Sequence, residues 1–335
     1  MKKIALVTHS YHKFTKSGQM YVDEIFSDND KFTIDYYYNE EWAGNPNFKI
    51  FDTIINNYDL VVIVQLISSS LLKKITCKNI VFIPMYDHSR YWGMQEWLPA
   101  SNLKILSPSS GIYDSLKKIG LNSLKIQLYP EPDKYEKQDF SKIFFWNRVE
   151  TLNYKIVLTL LKNYKFKNLN IHEKYDPNHN PIKPSIEEIK KYNIKFSKWF
   201  EDRNDYLQFL DSFGIYIAPR PYEGDGAAFI DSMKKGKIVI APNNHPYTDY
   251  IEQYKNGILY DLSNPKPLKM DTINLKILSE NAHESSIHGR KEWIKSLSKI
   301  HDYVFSDIKA GNNLTFKTKK KIFILKNFLK SSLNT

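Results

Sequence analysis

Short apolar runs alternate with longer amphipathic segments along most of the chain. Runs that are apolar throughout, like the one that ends at Val64, are typical of strands buried on both faces of a parallel sheet. The pattern predicts strands at Lys3–Thr8, Phe32–Tyr37, Asp59–Val64, Asn79–Pro84, Leu103–Leu106, Leu124–Leu128, Lys142–Trp146, Leu169–His172, Asn193–Phe196, Gly214–Ala218, Lys237–Ala241 and Gly257–Tyr260. It predicts helices at Gly18–Phe26, Ser110–Ile119, Glu150–Leu161, Asp205–Leu210 and Ala227–Lys235, and from beyond Leu268 to about Phe305.

A polar, proline-rich segment at Tyr129–Lys134 interrupts this alternation. A helix cannot run through it, because proline lacks the amide hydrogen and clashes with the preceding turn. We therefore predict a linker that ends near Phe140. Two βα series joined by one linker predict an α/β protein with two Rossmann-like, doubly wound domains, at residues 1–135 and 140–305. Such sheets bind ligands at the carboxyl ends of their strands, and we expect the two domains to face each other across a cleft.

The bulk composition agrees with two globular domains. The chain has 335 residues, of which 42% are hydrophobic and 25% charged. Its single cysteine, Cys77, cannot form an internal disulfide, which favours a reducing, cytoplasmic location. The apolar run at Ile4–Val7 is too short for a signal peptide, and no run is long enough to span a membrane. We therefore expect a soluble or peripheral protein.

The formal net charge of +11 favours anionic partners such as phosphates, nucleic acid or an acidic membrane surface. Residues 306–335 form a basic tail that mixes lysines with Ile322, Phe323, Phe328 and Leu329. A basic amphipathic helix could lie on an anionic membrane, and it could equally dock its apolar side on the protein. The sequence leaves both possibilities open.

The segment Gly214–Pro242 carries the most informative pattern of the chain. A buried strand is expected to end at Ala218, and prolines then stiffen the exit. Gly224 and Gly226 permit a tight turn before a helix that begins near Ala227. Free backbone amides and the positive end of that helix would suit a phosphate or a sugar hydroxyl.

Two carboxylates flank this turn, at Glu223 and, after seven intervening residues, at Asp231. The arrangement is similar to the signature of the "group 1" family of retaining GT-B glycosyltransferases, which has Glu-Gly-Phe-Gly followed by a second Glu. The later Asn256-Gly257 also resembles that family, and the match runs in order through roughly residues 140–262. The resemblance implies that Glu223 holds the hydroxyls of the donor sugar and that Asp231, one methylene shorter than Glu, holds the ribose. It implies that the sugar and diphosphate are surrounded by the amides of Gly224, Asp225, Gly226 and Ala227.

The same family carries an Arg after the first strand of the second domain and a Lys a few residues later. Arg148 stands at the first position, and Lys155 follows it by seven residues, which is more than the usual spacing. The resemblance implies that both cations bind the donor diphosphate. Two cations opposite a departing diphosphate would stabilise the charge that grows in the transition state.

In the first domain, Asp87 and His88 follow a predicted buried strand, where a site is expected. Related enzymes often have a His-Asp pair there, so the order is inverted here. The resemblance implies that His88 hydrogen-bonds a donor hydroxyl and that Asp87 orients it or contacts the acceptor. Gly18, at the first βα turn, resembles one glycine of the family's Gly-Gly loop, and His9 is expected to line the same cleft.

The implied reaction transfers a sugar from a nucleotide-diphosphate donor to an acceptor hydroxyl with retention of configuration. The donor is a substrate, and we predict no cofactor and no metal, since no Asp-x-Asp or Cys/His cluster suggests a metal site. A glycan or lipid-linked glycan of a bacterial surface polysaccharide or lipopolysaccharide is the expected acceptor.

Two other functions remain open at this point. One is a GT-B-like sugar-nucleotide epimerase, against which the spacing of Glu223 and Asp231 argues. The other is a non-catalytic sugar-nucleotide binder, which would leave Arg148 and Glu223 without a role. We do not expect nucleic-acid binding, because the lysines are dispersed and no zinc, RRM-like or helix-turn-helix signature occurs.

Overall fold

The computed structural model describes residues 1–40, 57–65, 67, 72, 75, 77–224 and 226–313. The predicted ligand residue Asp225 and most of the predicted basic tail, residues 314–335, lie outside the described part. The chain divides into two compact units. Residues 1–127 form the first unit together with the chain from Ser296 onward, and residues 128–295 form the second.

The first unit contains a six-stranded sheet in the order β2-β1-β3-β4-β5-β6, and every pair of neighbouring strands is parallel. Its strands are β1 (Lys2–His9), β2 (Phe32–Asn39), β3 (Leu60–Val64), β4 (Ile80–Ile83), β5 (Lys104–Ser107) and β6 (Leu124–Lys125). Its described helices are α1 (His12–Thr15), α2 (Met20–Ile25), α3 (Tyr86–Ser89), α4 (Met94–Trp97) and α5 (Ser110–Lys118), with 3-10 turns at Ser17–Gln19, Leu98–Asn102 and Ala310–Asn313.

The second unit contains another six-stranded parallel sheet, in the order β12-β11-β10-β7-β8-β9. Its strands are β7 (Lys142–Trp146), β8 (Asn168–His172), β9 (Ile194–Ser197), β10 (Ile215–Ile217), β11 (Ile238–Pro242) and β12 (Ile258–Tyr260). Its described helices are α6 (Tyr154–Leu160), α7 (Ile186–Lys191), α8 (Arg203–Asp211), α9 (Ala227–Lys234), α10 (Tyr247–Tyr250) and α11 (Leu275–Phe305). The predicted fold class of two Rossmann-like α/β domains is therefore confirmed.

Both faces of the second sheet are covered at its centre, which explains why β10 and β11 are apolar throughout and why β7 is apolar after Lys142. Successive side chains of a strand point to opposite faces. Ile143 and Phe145 accordingly belong to one apolar cluster, whereas Phe144 and Trp146 belong to another. Ile215 packs in the first of these clusters, and its neighbour Tyr216 packs in the second.

The long helix α11 contributes to both units. Its residues up to Lys295 belong to the second unit, where His283 Nε2 lies 2.7 Å from the carbonyl oxygen of Asp133. Its last turns belong to the first unit, where the Phe305 ring stacks on that of Phe32 at 6.2 Å. The proline-rich segment predicted as a linker contains neither helix nor strand.

Several predicted elements differ from the structure at their ends, and two of them serve as examples. Helix α6 begins at Tyr154 rather than at Glu150, because the Asn153 side chain accepts a hydrogen bond from the backbone nitrogen of Lys155 and so caps the helix there. The strand predicted at Leu124–Leu128 pairs only through Leu124–Lys125. Both changes move the ends of elements that the apolar pattern had located.

The strand order identifies where each sheet can bind a ligand. In the first sheet, β2 lies on one side of β1 and β3 on the other. In the second sheet, β8 lies on one side of β7 and β10 on the other. The connections leave in opposite directions at these points, which opens a crevice beyond the carboxyl ends of the strands. The residues that follow β1 and β3, and those that follow β7, β8 and β10, therefore stand where such a ligand would bind.

Candidate active site

The loop between β10 and α9 lies at the switch point of the second sheet, and its backbone is held from outside. The hydroxyl of buried Tyr247 donates a hydrogen bond to the carbonyl oxygen of Arg220 at 2.9 Å. The side-chain amide of Asn244 donates to the carbonyl oxygen of Pro221 at 3.2 Å. Both supports come from the segment after β11, so the sequence beyond the loop fixes the shape of the loop.

Gly226 ends this loop in a conformation that other residues rarely adopt. Its φ is +76°, in the left-handed region, and it immediately precedes α9. A Cβ atom at this position would lie 2.0 Å from Cε1 of Phe229, whose side chain is buried. Glycine is therefore required here, as the sequence predicted from the tight turn. Gly224 and Ala227 stand on either side of the turn, as expected.

Four charged side chains meet at this switch point, and Asp176 stands at their centre. Arg148 follows β7, Asp176 follows β8, and both Arg220 and Glu223 follow β10. Arg148 donates from Nε and Nη2 to Oδ1 of Asp176, at 2.8 and 2.7 Å. Arg220 donates from Nε and Nη2 to Oδ2 of the same carboxylate, both at 2.6 Å. Nη1 of Arg220 lies 3.5 Å from Oε2 of Glu223.

These four side chains are largely shielded from water, with exposed fractions between 12% and 23%. Burial alone would raise the pKa of Asp176, but the hydrogen bond from Arg220 and the charges of both arginines outweigh burial and lower it. Asp176 is therefore ionised at neutral pH and keeps the two guanidinium groups together. The Arg148 guanidinium also lies over the Trp146 ring, 4.3 Å from its centroid.

Asp231 lies in α9 and is almost fully buried. Burial raises its pKa, while the charges of Arg203 and Lys234 act in the opposite direction. Arg203 forms an ion pair with Oδ2 of Asp231, and Lys234 Nζ lies 3.9 Å from Oδ1. Asp231 thus faces a cation from α8 and another from its own helix.

The buried hydroxyl of Tyr206 connects the two predicted carboxylates electrostatically. Burial raises the pKa of Tyr206 most, and the negative charges of Asp231 and Glu223 raise it further. The positive charge of Arg148 lowers the pKa of the same hydroxyl. The charges of Glu223, Asp231 and Arg148 therefore all act on the Tyr206 hydroxyl. That the three residues serve one ligand stays a prediction.

Lys155 lies in a different environment from Arg148. Its side chain is exposed in the first turn of α6, and its charge acts on Glu188 in the segment before β9. Among the contacts recorded for the described residues, none joins Lys155 to Arg148 or Glu223. The structure brings Arg148 together with Arg220 instead.

At the switch point of the first sheet, His9 and Gln65 bridge the ends of β1 and β3. His9 Nε2 lies 2.9 Å from Oε1 of Gln65. Burial lowers the pKa of His9, whereas the hydrogen bond to Gln65 and the charge of Asp87 raise it. The charge of Asp87, which follows β4, therefore acts on His9. That the two residues line one site stays a prediction.

His88 and Gly18 were also predicted for this site, and each has different neighbours. The His88 side chain is exposed, and its ring meets that of Trp92 edge-on at 5.4 Å. Its backbone nitrogen donates to Oδ1 of Asp87 at 2.8 Å. A Cβ at Gly18 would lie 1.9 Å from Nδ1 of His12, so glycine is needed where the His12 ring covers the first βα turn.

Several residues of these two sites escaped the sequence reading. They are His12, Gln65, Asp176, Arg203 and Arg220. Arg220 offered a signal, since it lies three residues before Glu223 in the exit from the predicted strand. Asp176 offered none, because it lies in a polar loop that is rich in Asn and Pro.

Residues 175–292 match the family model described as "Glycosyl transferases group 1", which confirms the resemblance. No curated protein sequence matches the chain. Among solved structures, HepE of Anabaena in complex with UDP and glucose superimposes with a TM-score of 0.63 at 12% identity, over 89% of this chain and 100% of that one.

The lipopolysaccharide outer core galactosyltransferase WaaB has a TM-score of 0.58 at 14% identity, over 91% of this chain and 100% of that one. Sucrose-phosphate synthase from Thermosynechococcus elongatus has a TM-score of 0.55 at 12% identity, over 99% of each chain. At these identities the likeness shows the fold, which is GT-B.

No helix in the described part combines the length and apolar character needed to cross a membrane. Within the same ranges, no three His, Cys, Asp or Glu side chains are grouped so that they could hold a metal ion. The expectation that the reaction needs no metal stays a prediction.

Proposed function

We propose that this chain is a glycosyltransferase that uses a nucleotide-diphosphate sugar as donor. The observation that carries the proposal is the charged cluster at the switch point of the second sheet, in which Asp176 and Arg220 link Arg148, after β7, to Glu223, after β10. A cation there suits the diphosphate, and a carboxylate suits the hydroxyls of a sugar. The match of residues 175–292 to a glycosyltransferase family supports the same conclusion.

The roles of the individual residues follow from their chemistry. Glu223 holds donor-sugar hydroxyls, and the amides of Gly224, Gly226 and Ala227 at the start of α9 bind the sugar and diphosphate. Asp231, buried beside Arg203, holds ribose hydroxyls. Arg148 stabilises the diphosphate as it leaves. Because the arginine supplies the positive charge, the reaction needs no metal ion.

The acceptor and the stereochemistry are the further parts of the proposal. The sugar is transferred with retention to a hydroxyl of a glycan or lipid-linked glycan, in bacterial surface polysaccharide synthesis in the cytoplasm. WaaB acts in the lipopolysaccharide outer core, and HepE was solved with UDP and glucose, so UDP-sugars and lipopolysaccharide-type acceptors are the first to test. His9, Asp87 and His88 are the candidate contacts in the first unit.

A thermal-shift screen over UDP-, GDP- and ADP-linked sugars tests donor binding. A ligand present at 100 times its dissociation constant adds about 2.7 kcal/mol to the free energy of unfolding. We expect one nucleotide class to raise the melting temperature at saturation. The absence of any shift across the whole panel would contradict the proposal.

Proton NMR of the product then tests retention. For a donor with an α-linked sugar, we expect the anomeric signal of the first product to be that of an α-linkage. A β-linked first product would show that the reaction inverts. Donor binding without release of nucleoside diphosphate in the presence of acceptors would favour the non-catalytic binder.

A further inference from the structure

We propose that Arg220 is the second cation of the donor diphosphate site, beside Arg148, in the role that the family resemblance gives to Lys155. The inference rests on the proposed function, because it names a residue that binds the leaving group. The resemblance implies no role for Arg220.

The first support is the position of Arg220 at the switch point. Arg148 and Arg220 follow β7 and β10, the two neighbouring strands between which the connections reverse direction. Their guanidinium groups bind opposite oxygens of the Asp176 carboxylate, at 2.6 to 2.8 Å. One carboxylate therefore keeps two guanidinium groups next to each other, and the two cations outnumber the one anion that joins them, which leaves positive charge for a diphosphate.

The second support is the contact of Arg220 with Glu223. Nη1 of Arg220 lies 3.5 Å from Oε2 of Glu223, while Nε and Nη2 face Asp176. Arg220 thus stands between the carboxylate that holds the sugar hydroxyls and the cation at the diphosphate. A bound donor presents its diphosphate next to its sugar, so a residue in this place contacts the bond region that breaks.

The third support is that the backbone of Arg220 is fixed independently of its side chain. The Tyr247 hydroxyl donates to the Arg220 carbonyl oxygen at 2.9 Å. The backbone at Arg220 is therefore held in place, and the Asp176 carboxylate already holds the guanidinium, so neither has to be ordered when the ligand binds. Lys155, by contrast, has an exposed side chain whose charge acts on Glu188.

Isothermal titration of the full-length protein tests the inference by comparing ligands with and without the diphosphate. The probes are UDP, GDP and ADP, each paired with its nucleoside. The affinity ratio within a pair measures the diphosphate alone. We expect Arg220→Gln to reduce this ratio roughly 10- to 100-fold, the range for losing a hydrogen bond to a charged group, and to leave nucleoside affinity unchanged.

Two further variants make the comparison specific. Lys155→Gln removes the cation of the competing assignment and is expected to reduce the ratio much less than Arg220→Gln. Lys162→Gln, which removes an exposed charge at the end of α6, controls for the change in net charge. The inference would be overturned if Arg220→Gln kept the wild-type affinity ratio of diphosphate to nucleoside, or if Lys155→Gln lowered that ratio more than Arg220→Gln does. Either result would leave the proposed function intact. A wild-type protein that binds no diphosphate more tightly than its nucleoside would instead overturn the proposed function.

A measurement on the wild-type protein removes any dependence on how the variants fold. In protein labelled with ¹⁵N-arginine, the Nε resonance of Arg220 is assigned by its absence from Arg220→Lys. We expect this resonance to shift on addition of the bound nucleoside diphosphate and to stay in place with the nucleoside. An Nε resonance that responds to neither ligand would refute the contact.

Discussion

Gly226→Ala is the substitution whose effect follows most directly from the geometry of the loop. The left-handed conformation of residue 226 costs an L-residue about 1–2 kcal/mol. The new Cβ would also lie 2.0 Å from the buried Phe229 ring, and overpacking of this kind costs about 1–3 kcal/mol. We therefore expect a destabilisation of about 2–5 kcal/mol, and a shift of the loop amides away from the ligand.

Urea unfolding followed by circular dichroism measures the first effect, and titration with the bound nucleoside diphosphate measures the second. Gly93→Ala is a suitable control, because Gly93 has φ of −92° and its added Cβ meets only the end of the Glu96 side chain, at 3.3 Å. We expect the control to remain within about 0.5 kcal/mol of the wild type. A Gly226→Ala protein as stable as the control and with wild-type affinity would refute the argument.

The remaining predictions concern Asp231 and His172. Asp231→Asn is expected to weaken binding of a ribonucleoside diphosphate roughly 10-fold and to leave its 2′,3′-dideoxy analogue unaffected, as measured by paired titrations; equal weakening of both would contradict the ribose assignment. Burial and then the charge of Arg148 lower the pKa of His172 from 6.5 to about 4. The unfolded state therefore binds a proton at His172 more readily than the folded state between pH 6.5 and 4. The free energy of unfolding is highest above pH 6.5 and falls as the pH drops towards 4, and His172 accounts for about 3 kcal/mol of this fall. Urea unfolding between pH 7 and 4 should show a smaller decline in His172→Gln, and an identical decline would count against this cause.

The fold followed from the apolar pattern because burial on both faces of a parallel sheet leaves a strong mark in sequence. The strand Lys142–Trp146 was located to the residue, since each of its side chains enters one of two cores. The start of α6 was missed because one side-chain cap, at Asn153, decides it. Apolar periodicity locates an element, whereas single hydrogen bonds set its ends.

The candidate site was predicted only where local spacing carries information. Glu223 and Gly226 lie within one βα turn, so their relation is visible in the sequence. Asp176 joins Arg148 and Arg220 across three strands that are far apart along the chain. A contact of this kind depends on strand order, and a single sequence does not reveal it.

The contrast between Lys155 and Arg220 has the same origin. Lys155 was assigned from the family resemblance, and in the structure the cap at Asn153 fixes where α6 begins and Lys155 is exposed, with its charge acting on Glu188. Arg220 lies close in sequence to Glu223 and reaches the switch point directly from β10. Three-dimensional position, rather than spacing from Arg148, thus distinguishes them.

Release of nucleoside diphosphate from the donor identified in the thermal-shift screen tests the central claim most directly. The comparison is between the wild type, Glu223→Gln, and the control Glu187→Gln, which changes an exposed carboxylate on α7. We predict that Glu223→Gln lowers the rate of release roughly 10- to 100-fold, the range for losing a hydrogen bond to a charged group, while the control keeps the wild-type rate. A Glu223→Gln protein that releases nucleoside diphosphate at the wild-type rate would contradict the assignment of this site.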